Sequence, residues 1–147
     1  MILVSACLLG INCKYNGDNN KDFKVLEYLK DKEFIIVCPE QLGGMSTPRD
    51  PSEIIRLDGD AVINGETSVI TNKRLDVTKK FKLGANETLK IAKLYNCKEA
   101  ILKEGSPSCG SNYIYDGTFT GKKRDGIGVT TSLLKHNGIK VISEKEI

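Results

Sequence analysis

Four short, largely apolar runs recur along the chain, and polar residues or glycines follow each of them. The runs cover residues 2–6, 34–38, 99–103 and 139–143. Near-continuous apolar runs of this length are typical of strands that are buried on both faces of a parallel sheet. Between the runs, apolar residues at helical spacing predict three helices. We expect them over residues 21–31, from Asp76 or Thr78 to residue 96, and over residues 127–136.

Strands that alternate with helices predict an α/β architecture. We expect residues 1–147 to form a single domain with a Rossmann-like fold, in which about four mostly parallel strands are flanked by helices. A strand order of 2-1-3-4 puts the point where the order reverses between strands one and three. Ligands of open α/β sheets bind near this point, outside the carboxyl ends of the strands.

Three stretches interrupt this alternation. Residues 39–52 lack periodicity and combine prolines with paired glycines, which predicts an ordered loop. Short apolar pieces at 54–57, 61–64 and 67–70, separated by Asp-Gly and Asn-Gly pairs, predict a small β insertion around 54–70. This insertion either covers a site as a flap or decorates one edge of the fold. Residues 105–128, rich in Gly, Ser, Asp and Thr, predict a second functional loop.

The composition indicates an ordinary globular protein and does not indicate a particular binding partner. A hydrophobic fraction of 39 % and a charged fraction of 28 % are ordinary for a globular domain. The net charge of +3 is compatible with RNA but too small to favour it. No apolar run approaches the ~18 residues of a membrane span, and no basic segment precedes the first strand as in a signal peptide. We therefore expect a cytoplasmic protein that is not bound to a membrane, with an oligomeric state that the sequence does not indicate.

Three of the five cysteines follow the ends of predicted strands. Cys7 follows the first strand, Cys38 the second, and Cys109 lies in the turn Ser106-Pro107-Ser108-Cys109-Gly110 after the third. Since neighbouring strands lie about 5 Å apart, the three thiols would fall within a span of about 10 Å. The close-spaced cysteine pairs of structural zinc sites are absent. Iron–sulfur clusters accept thiolates from distant parts of a chain, so we hypothesise a cluster here; ordinary buried cysteines are the alternative.

Polar residues in the same loops add candidate chemistry. Glu40, two residues after Cys38, could act as a general acid or base, or could cap the following loop. Ser106 and Ser108 could offer hydroxyls to a ligand, or could only stabilise their turn. Arg49 could clamp a substrate or pair with a neighbouring carboxylate.

Motifs along nearly the whole chain resemble those of the thiouracil desulfidases. They are Ser5-Ala6-Cys7-Leu8-Leu9-Gly10, Cys13-Lys14-Tyr15-Asn16-Gly17, Val37-Cys38-Pro39-Glu40-Gln41-Leu42-Gly43-Gly44, Thr47-Pro48-Arg49, Asp76-Val77-Thr78, Gly84-Ala85, Leu102-Lys103, Ser106-Pro107-Ser108-Cys109-Gly110, Tyr115-Asp116-Gly117-Thr118-Phe119 and Gly126-Ile127-Gly128-Val129. The resemblance implies an oxygen-sensitive 4Fe–4S cluster that is held by three cysteines and leaves one iron open. It also implies the non-redox conversion of thiouracil to uracil and sulfide, in which the sulfur of the substrate binds the open iron.

Carried over residue by residue, the resemblance implies cluster ligation by Cys7, Cys38 and Cys109, and catalysis by Glu40 and a serine of the turn. We favour Ser108 as that serine, with Ser106 second. Ser106, Arg49 and Lys103 are candidates for binding the substrate.

Three further positions qualify this assignment. Cys13 also lies in a family motif, so its part in the site stays open. Cys97 matches no motif and is interpreted as structural. At position 105, beside the turn, we expect Arg or another larger residue, and this chain has a glycine there.

The predicted function is therefore iron–sulfur-dependent desulfidation of a small thiolated pyrimidine, 2-thiouracil being the example that the resemblance supplies. Two alternatives stay open at this point: an iron–sulfur protein that carries sulfur for recycling or thiolation, and a metal-binding module without catalysis. A thiolated RNA is a possible substrate that we do not favour, because related proteins that act on RNA carry a second domain for which this chain has no room.

Overall fold

The fold is described for all residues 1–147 by a computed structural model. In chain order the strands are β1 (Ile2–Ser5), β2 (Phe34–Val37), β3 (Ser52–Ile54), β4 (Val69–Thr71), β5 (Glu99–Leu102), β6 (Tyr113–Tyr115), β7 (Lys123–Asp125) and β8 (Lys140–Ser143). The helices are α1 (Phe23–Leu29), α2 (Pro39–Leu42), α3 (Gly59–Ile63), α4 (Thr78–Leu94) and α5 (Val129–His136). Short 3₁₀ turns follow β1 (Ala6–Leu9) and β8 (Glu144–Glu146). None of these helices combines the length and the hydropathy that a membrane-spanning helix requires.

A four-stranded parallel sheet forms the centre of the fold, in the order β2-β1-β5-β8. Its members are the four strands predicted from the apolar runs, in the predicted order 2-1-3-4. The register aligns Leu3 of β1 with Ile35 on one side and Ala100 on the other. As a result, the segments that leave β2, β1 and β5 all start from one edge of the sheet.

Helices cover both faces of this sheet. On one face, Leu89 and Ala92 of α4 and Leu134 of α5 pack with Leu3 and Leu102 of the strands. On the other face, the buried side chains come from α1 and from the alternate strand positions: Ile2, Val4, Val25, Leu29 and Ile101. The predicted helices are therefore confirmed, with ends that differ by a few residues. Helix α1, for instance, begins after Asp22, whose carboxylate accepts hydrogen bonds from the backbone N–H groups of Lys24 and Val25.

The insertion is only partly the β structure that we predicted. Strands β3 and β4 form an antiparallel pair, but residues 61–64, predicted as a β piece, belong largely to helix α3. The reason is local: the Asp58 carboxylate accepts the N–H of Asp60 and caps the helix, so the Asp-Gly pair starts a helix in place of a hairpin turn. Val62 of α3 then packs with Ile54, Val69 and Phe81 in a second apolar cluster.

The two segments predicted as loops also contain regular structure. Residues 39–52 begin with the short helix α2, and residues 105–128 contain the antiparallel hairpin β6–β7. Arg124 of the hairpin donates hydrogen bonds to the carbonyl oxygens of Ile54 and Asp116. The insertion and the hairpin are thereby joined into one wall beside the carboxyl edge of the sheet.

Two glycines allow α2 and α4 to pack backbone against backbone. A Cβ atom on Gly43 would collide with the carbonyl oxygen of Lys80, and one on Gly84 would collide with that of Pro39. In an exposed helix Gly84 would only weaken α4, by about 1 kcal/mol relative to alanine. Here it is needed for the close approach that positions α2, the helix directly after Cys38.

We predict that Gly84→Ala destabilises the protein despite alanine's higher helix propensity. The gain of about 1 kcal/mol in propensity is smaller than the cost of separating two packed backbones, so we expect a net loss of roughly 1–3 kcal/mol. Urea unfolding measures the difference. Asn86→Ala, at an exposed position of the same helix, is the matched control and should change the unfolding free energy by less than about 0.5 kcal/mol. A Gly84→Ala protein as stable as the wild type would contradict this account of the helix contact.

Candidate active site

A cavity of about 530 Å³ opens at the carboxyl edge of the sheet. Its wall combines the segments after β1, β2 and β5 with residues of the insertion and of the β6–β7 hairpin. Four of the five cysteines line it: Cys7, Cys13, Cys38 and Cys109. The convergence of thiols expected from three strand ends therefore occurs, and one thiol more takes part.

Each of the three predicted ligand cysteines is held by a different local structure. Cys7 lies in the 3₁₀ turn that directly follows β1. Cys38 is the extended residue before α2, with Pro39 in the first turn of that helix. Cys109 lies in the turn after β5, where the Ser106 hydroxyl accepts its N–H at 3.1 Å. All three segments leave neighbouring strands, which explains how distant sequence positions meet.

Cys13 is buried beside Cys7 and Cys38, and the Cys38 thiol lies 3.9 Å from the Cys13 carbonyl oxygen, to which it donates a hydrogen bond. The neighbouring Cys13 side chain lowers the pKa of Cys7 and lowers the pKa of Cys38 to about 7, while the pKa of Cys13 itself is raised by its two neighbours. The Cys13 thiol therefore favours the thiolate form of its two neighbours.

Cys109 differs because it is more deeply buried than the other two predicted ligands. Burial raises the pKa of its thiol, and the negative charge of Glu40 adds to the effect. Cys97, by contrast, lies in the apolar core outside the cavity, where burial raises its pKa. Its position agrees with the structural role expected for it.

The carboxylate of Glu40 is held by Arg49 at 2.8 Å. Arg49 also donates to the carbonyl oxygens of Cys13 and Ser46 and to the hydroxyl of Thr47. With its side chain 6 % exposed, Arg49 is fully engaged with the protein. Both residues line the cavity, and Arg49 binds only Oε2 of Glu40, so that Oε1 has no hydrogen-bond partner within the protein. The ion pair forms with Glu40 and not with the adjacent Asp50, which lies 3.3 Å from Lys73.

The two serines of the turn have different surroundings. Ser106 lines the cavity, and its hydroxyl accepts the N–H groups of Ser108 and Cys109. Ser108 is 2 % exposed, does not belong to the lining, and its hydroxyl lies 2.7 Å from that of Thr130. The structure brings Ser106 to the site with Glu40, and it directs the Ser108 hydroxyl into α5.

Lys103 and Glu104, directly after β5, line the cavity and hold the turn. The Lys103 ammonium donates to Glu144 and to the Glu104 carbonyl oxygen, both at 2.8 Å. Burial would lower the pKa of Lys103, but the Glu144 carboxylate outweighs it and the pKa is raised.

The Glu104 carboxylate, 3 % exposed, is a site residue that sequence reasoning missed. It accepts hydrogen bonds from the backbone N–H groups of Ser111, Asn112 and Tyr113 and from the Asn112 side chain. Burial acts to raise its pKa, but these hydrogen bonds prevail and lower the pKa to about 2. Glu104 thereby closes the loop that carries Ser106 and Cys109. The sequence signal for this role is a carboxylate directly after a predicted strand, with the polar pair Ser111-Asn112 later in the same loop.

Three aromatic side chains also line the cavity, and the sequence analysis does not assign them to the site: Tyr15, Tyr115 and Phe119.

Gly105, where a larger residue was expected, lies against two aromatic rings of the β6 strand. A Cβ at Gly105 would come within 3.1 Å of the Tyr113 ring and 3.5 Å of the Tyr115 ring. The absence of a side chain at Gly105 therefore leaves room for these rings.

The donor set of the cavity fits an iron–sulfur cluster. Its cysteines supply soft thiolate donors, the ligand type that such clusters select. No three His, Cys, Asp or Glu side chains are close enough together to hold a single metal ion. A multi-iron cluster, whose ligand atoms lie farther apart than those of one ion, suits thiols distributed around a cavity of this size.

The fold and the cavity define a class: an α/β protein with a cysteine-lined site at the carboxyl edge of a parallel sheet. Within that class, the chain belongs to the 2-thiouracil desulfurase family, whose model matches residues 2–146. The chain is also 51 % identical over 147 residues to the uncharacterized protein YbbK of Bacillus subtilis (strain 168), covering 100 % of this chain and 97 % of YbbK.

A solved structure gives a third comparison. The [4Fe-4S]-dependent thiouracil desulfidase TudS superposes with a TM-score of 0.86 at 40 % sequence identity, over 99 % of this chain and 91 % of that of TudS. The family resemblance and the α/β fold expected from the sequence are confirmed by these comparisons.

We predict that Glu104→Gln destabilises the protein at neutral pH and that the difference disappears in acid. Because the folded-state pKa of Glu104 is depressed from 4.5 to about 2, its ionised form contributes stability above pH 4.5 that is lost as the pH falls toward 2. We expect a loss of roughly 2–3 kcal/mol at pH 7. Urea unfolding at pH 7, 3.5 and 2 measures the trend, and the difference should fall by about half at pH 3.5 and nearly vanish at pH 2. Glu27→Gln, on an exposed helix position, is the control, and a pH-independent difference for Glu104→Gln would contradict the assignment.

Proposed function

We propose that this protein is a [4Fe-4S]-dependent desulfidase that converts a small thiolated pyrimidine, such as 2-thiouracil, to uracil and sulfide. The observation that carries the proposal is the convergence of Cys7, Cys38 and Cys109 on one cavity together with Glu40. The 40 % identity to TudS over 99 % of the chain supports the choice of reaction. Overall, thiouracil and water give uracil and hydrogen sulfide, so no electron donor or acceptor is needed.

Cys7, Cys38 and Cys109 would hold the cluster. An iron without a protein ligand would supply a Lewis acid with affinity for the soft sulfur of a thiocarbonyl group. Cys13, which is buried beside Cys7 and Cys38, restricts the orientation of these two ligand side chains, as neighbouring groups outside the ligand set do at metal sites.

Glu40 activates the attacking water. Arg49 fixes its Oε2, and the other carboxylate oxygen, which has no partner within the protein, can accept a proton from that water. Because four hydrogen-bond acceptors hold Arg49, the carboxylate needs little reorganisation before the reaction. Arg49 acts on the substrate through Glu40 and through the shape of the cavity wall.

Ser106 takes the second catalytic role in place of Ser108. Its hydroxyl is in the cavity lining, and as the acceptor of two backbone N–H groups it has its own proton free to donate to the substrate ring. Lys103 assists in binding: two of its three N–H donors are used by Glu144 and Glu104, and the third is available to a carbonyl oxygen of the pyrimidine.

The same proposal includes the domain organisation, the kind of substrate and the cellular compartment. Residues 1–147 would act as one desulfidase domain on a free pyrimidine, and RNA stays the less favoured substrate. All five cysteines are free thiols, which agrees with a reducing compartment such as the cytoplasm.

We predict that protein reconstituted anaerobically with iron and sulfide is brown, contains about four irons and four sulfides per chain, and releases uracil and sulfide in equal amounts from 2-thiouracil. Iron and sulfide analysis and chromatography of the products measure this. Cys109→Ser should lose the cluster, whereas Cys97→Ser, the matched buried cysteine outside the cavity, should keep it.

Other outcomes separate the alternatives. A colourless protein with stoichiometric zinc would overturn the cluster, and transfer of sulfur to an acceptor thiol without free sulfide would indicate a sulfur carrier. Glu40→Gln should keep the iron content and lower kcat by about 10²–10⁴-fold. A fully active Glu40→Gln protein would contradict the role of Glu40.

We predict that the two serines separate by phenotype. Ser106→Ala should lower kcat for 2-thiouracil by at least about tenfold with the cluster retained. Ser108→Ala leaves the Thr130 hydroxyl without its partner, so it should cost roughly 1–2 kcal/mol of stability and leave kcat within about twofold. Turnover at saturating substrate and urea unfolding measure the two effects. The reverse pattern would return the catalytic role to Ser108.

A further inference from the structure

Phe119 occupies an unusual backbone conformation at the edge of the cavity. It lies between β6 and β7, lines the cavity, and has a φ angle of 57°. A bulky residue in this left-handed region costs on the order of 1 kcal/mol or more, and such residues persist only where the surrounding structure fixes them. The position of the ring is therefore determined by its neighbours and not by the preference of its own backbone.

The Glu53 carboxylate supplies the main constraint. Its Oε1 accepts the backbone N–H of Gly117 at 2.9 Å and that of Phe119 at 3.2 Å. The loop is fixed further by Asp116, whose carboxylate accepts the N–H and the hydroxyl of Thr118 at 3.0 and 2.6 Å. Gly117 packs so closely against the carbonyl oxygens of the insertion that no side chain fits there. The hairpin loop is thus attached to the insertion at several points.

These contacts present a fixed aromatic ring to the cavity. The Arg74 guanidinium lies 6.0 Å from the centre of the Phe119 ring, at the distance of a weak cation–π contact. Tyr15 and Tyr115 are the other aromatic residues of the lining. Three aromatic side chains around one cavity favour a flat, π-conjugated ligand, because stacking adds about 0.5–1.5 kcal/mol to simple burial of the same area.

We propose that Phe119 is a specificity-determining residue that contacts the face of the pyrimidine ring, held in place by Glu53. The inference rests on the proposed function and deepens it, since it names the part of the site that selects an aromatic thiocarbonyl compound. Phe119 takes no part in the chemistry. Its loss should therefore weaken binding of substrate and product about equally and leave the chemical step unchanged.

The test uses cluster-loaded protein and compares Phe119→Leu with Phe119→Tyr. Leucine keeps the apolar bulk but removes the flat ring, whereas tyrosine keeps the ring. We expect Phe119→Leu to raise KM for 2-thiouracil about 3–10-fold with kcat within about twofold, and Phe119→Tyr to behave like the wild type. Calorimetric titration with uracil gives a second readout that needs no turnover, and Kd should rise by the same factor as KM.

Phe23→Leu is the matched control, since Phe23 is 75 % exposed at the start of α1. If the wild type releases sulfide and Phe119→Leu has the KM and the uracil Kd of Phe23→Leu, the inference is overturned and the proposed function is not. A fall in kcat without a change in Kd would also overturn it, because it would mean that Phe119 acts on the chemical step. If the wild type releases no sulfide from 2-thiouracil, the proposed function itself fails.

Discussion

The parallel pairing of β2, β1 and β5 is the constraint on which the rest of the structure depends. Because these strands run in the same direction, the chain leaves each of them at the same edge of the sheet. The segment that follows each strand carries a cysteine: Cys7 lies in the 3₁₀ turn directly after β1, Cys38 directly follows β2 and precedes α2, and Cys109 lies further along the loop after β5. The Ser5 hydroxyl, which accepts the N–H of Lys103, joins two of these strand ends directly. No disulfide or long-range contact between the cysteines is needed to bring them together.

The turn that carries Cys109 is fixed from two directions, which suits a group that must hold a ligand. On one side the buried Glu104 carboxylate binds three consecutive N–H groups beyond the turn. On the other side α5 packs its first residues against the turn, and the N–H groups of Val129 and Thr130 donate to the carbonyl oxygens of Pro107 and Ser108. Gly128 permits this contact, since a Cβ there would collide with the Ser108 carbonyl group. A site built on such supports is preorganised before any ligand enters.

The periodic parts of the sequence were sufficient to predict the central sheet, its strand order and the long helices. Buried strands leave uninterrupted apolar runs, and these are visible without any knowledge of tertiary contacts. The insertion was mispredicted at residues 61–64 because a single capping carboxylate, Asp58, decides between helix and turn. The hairpin β6–β7 was missed because its strands of three residues are too short for a period to emerge. The contrast between Ser106 and Ser108 depends on which hydroxyl faces α5, and no spacing rule contains that information.

Charge balance around the cavity explains why Arg49 and Lys103 are each paired with a carboxylate. The thiolates of the cysteines and the Glu40 carboxylate add negative charge to a partly enclosed space, where an unpaired charge would be costly. Arg49 and Lys103 compensate it, yet each is already bound to a carboxylate, Glu40 in one case and Glu144 in the other. The cations therefore lower the local potential without being free to move onto a ligand. An anionic sulfur leaving group would meet fixed positive charges at a distance, and the Glu40 carboxylate oxygen that Arg49 does not bind is left to take a proton.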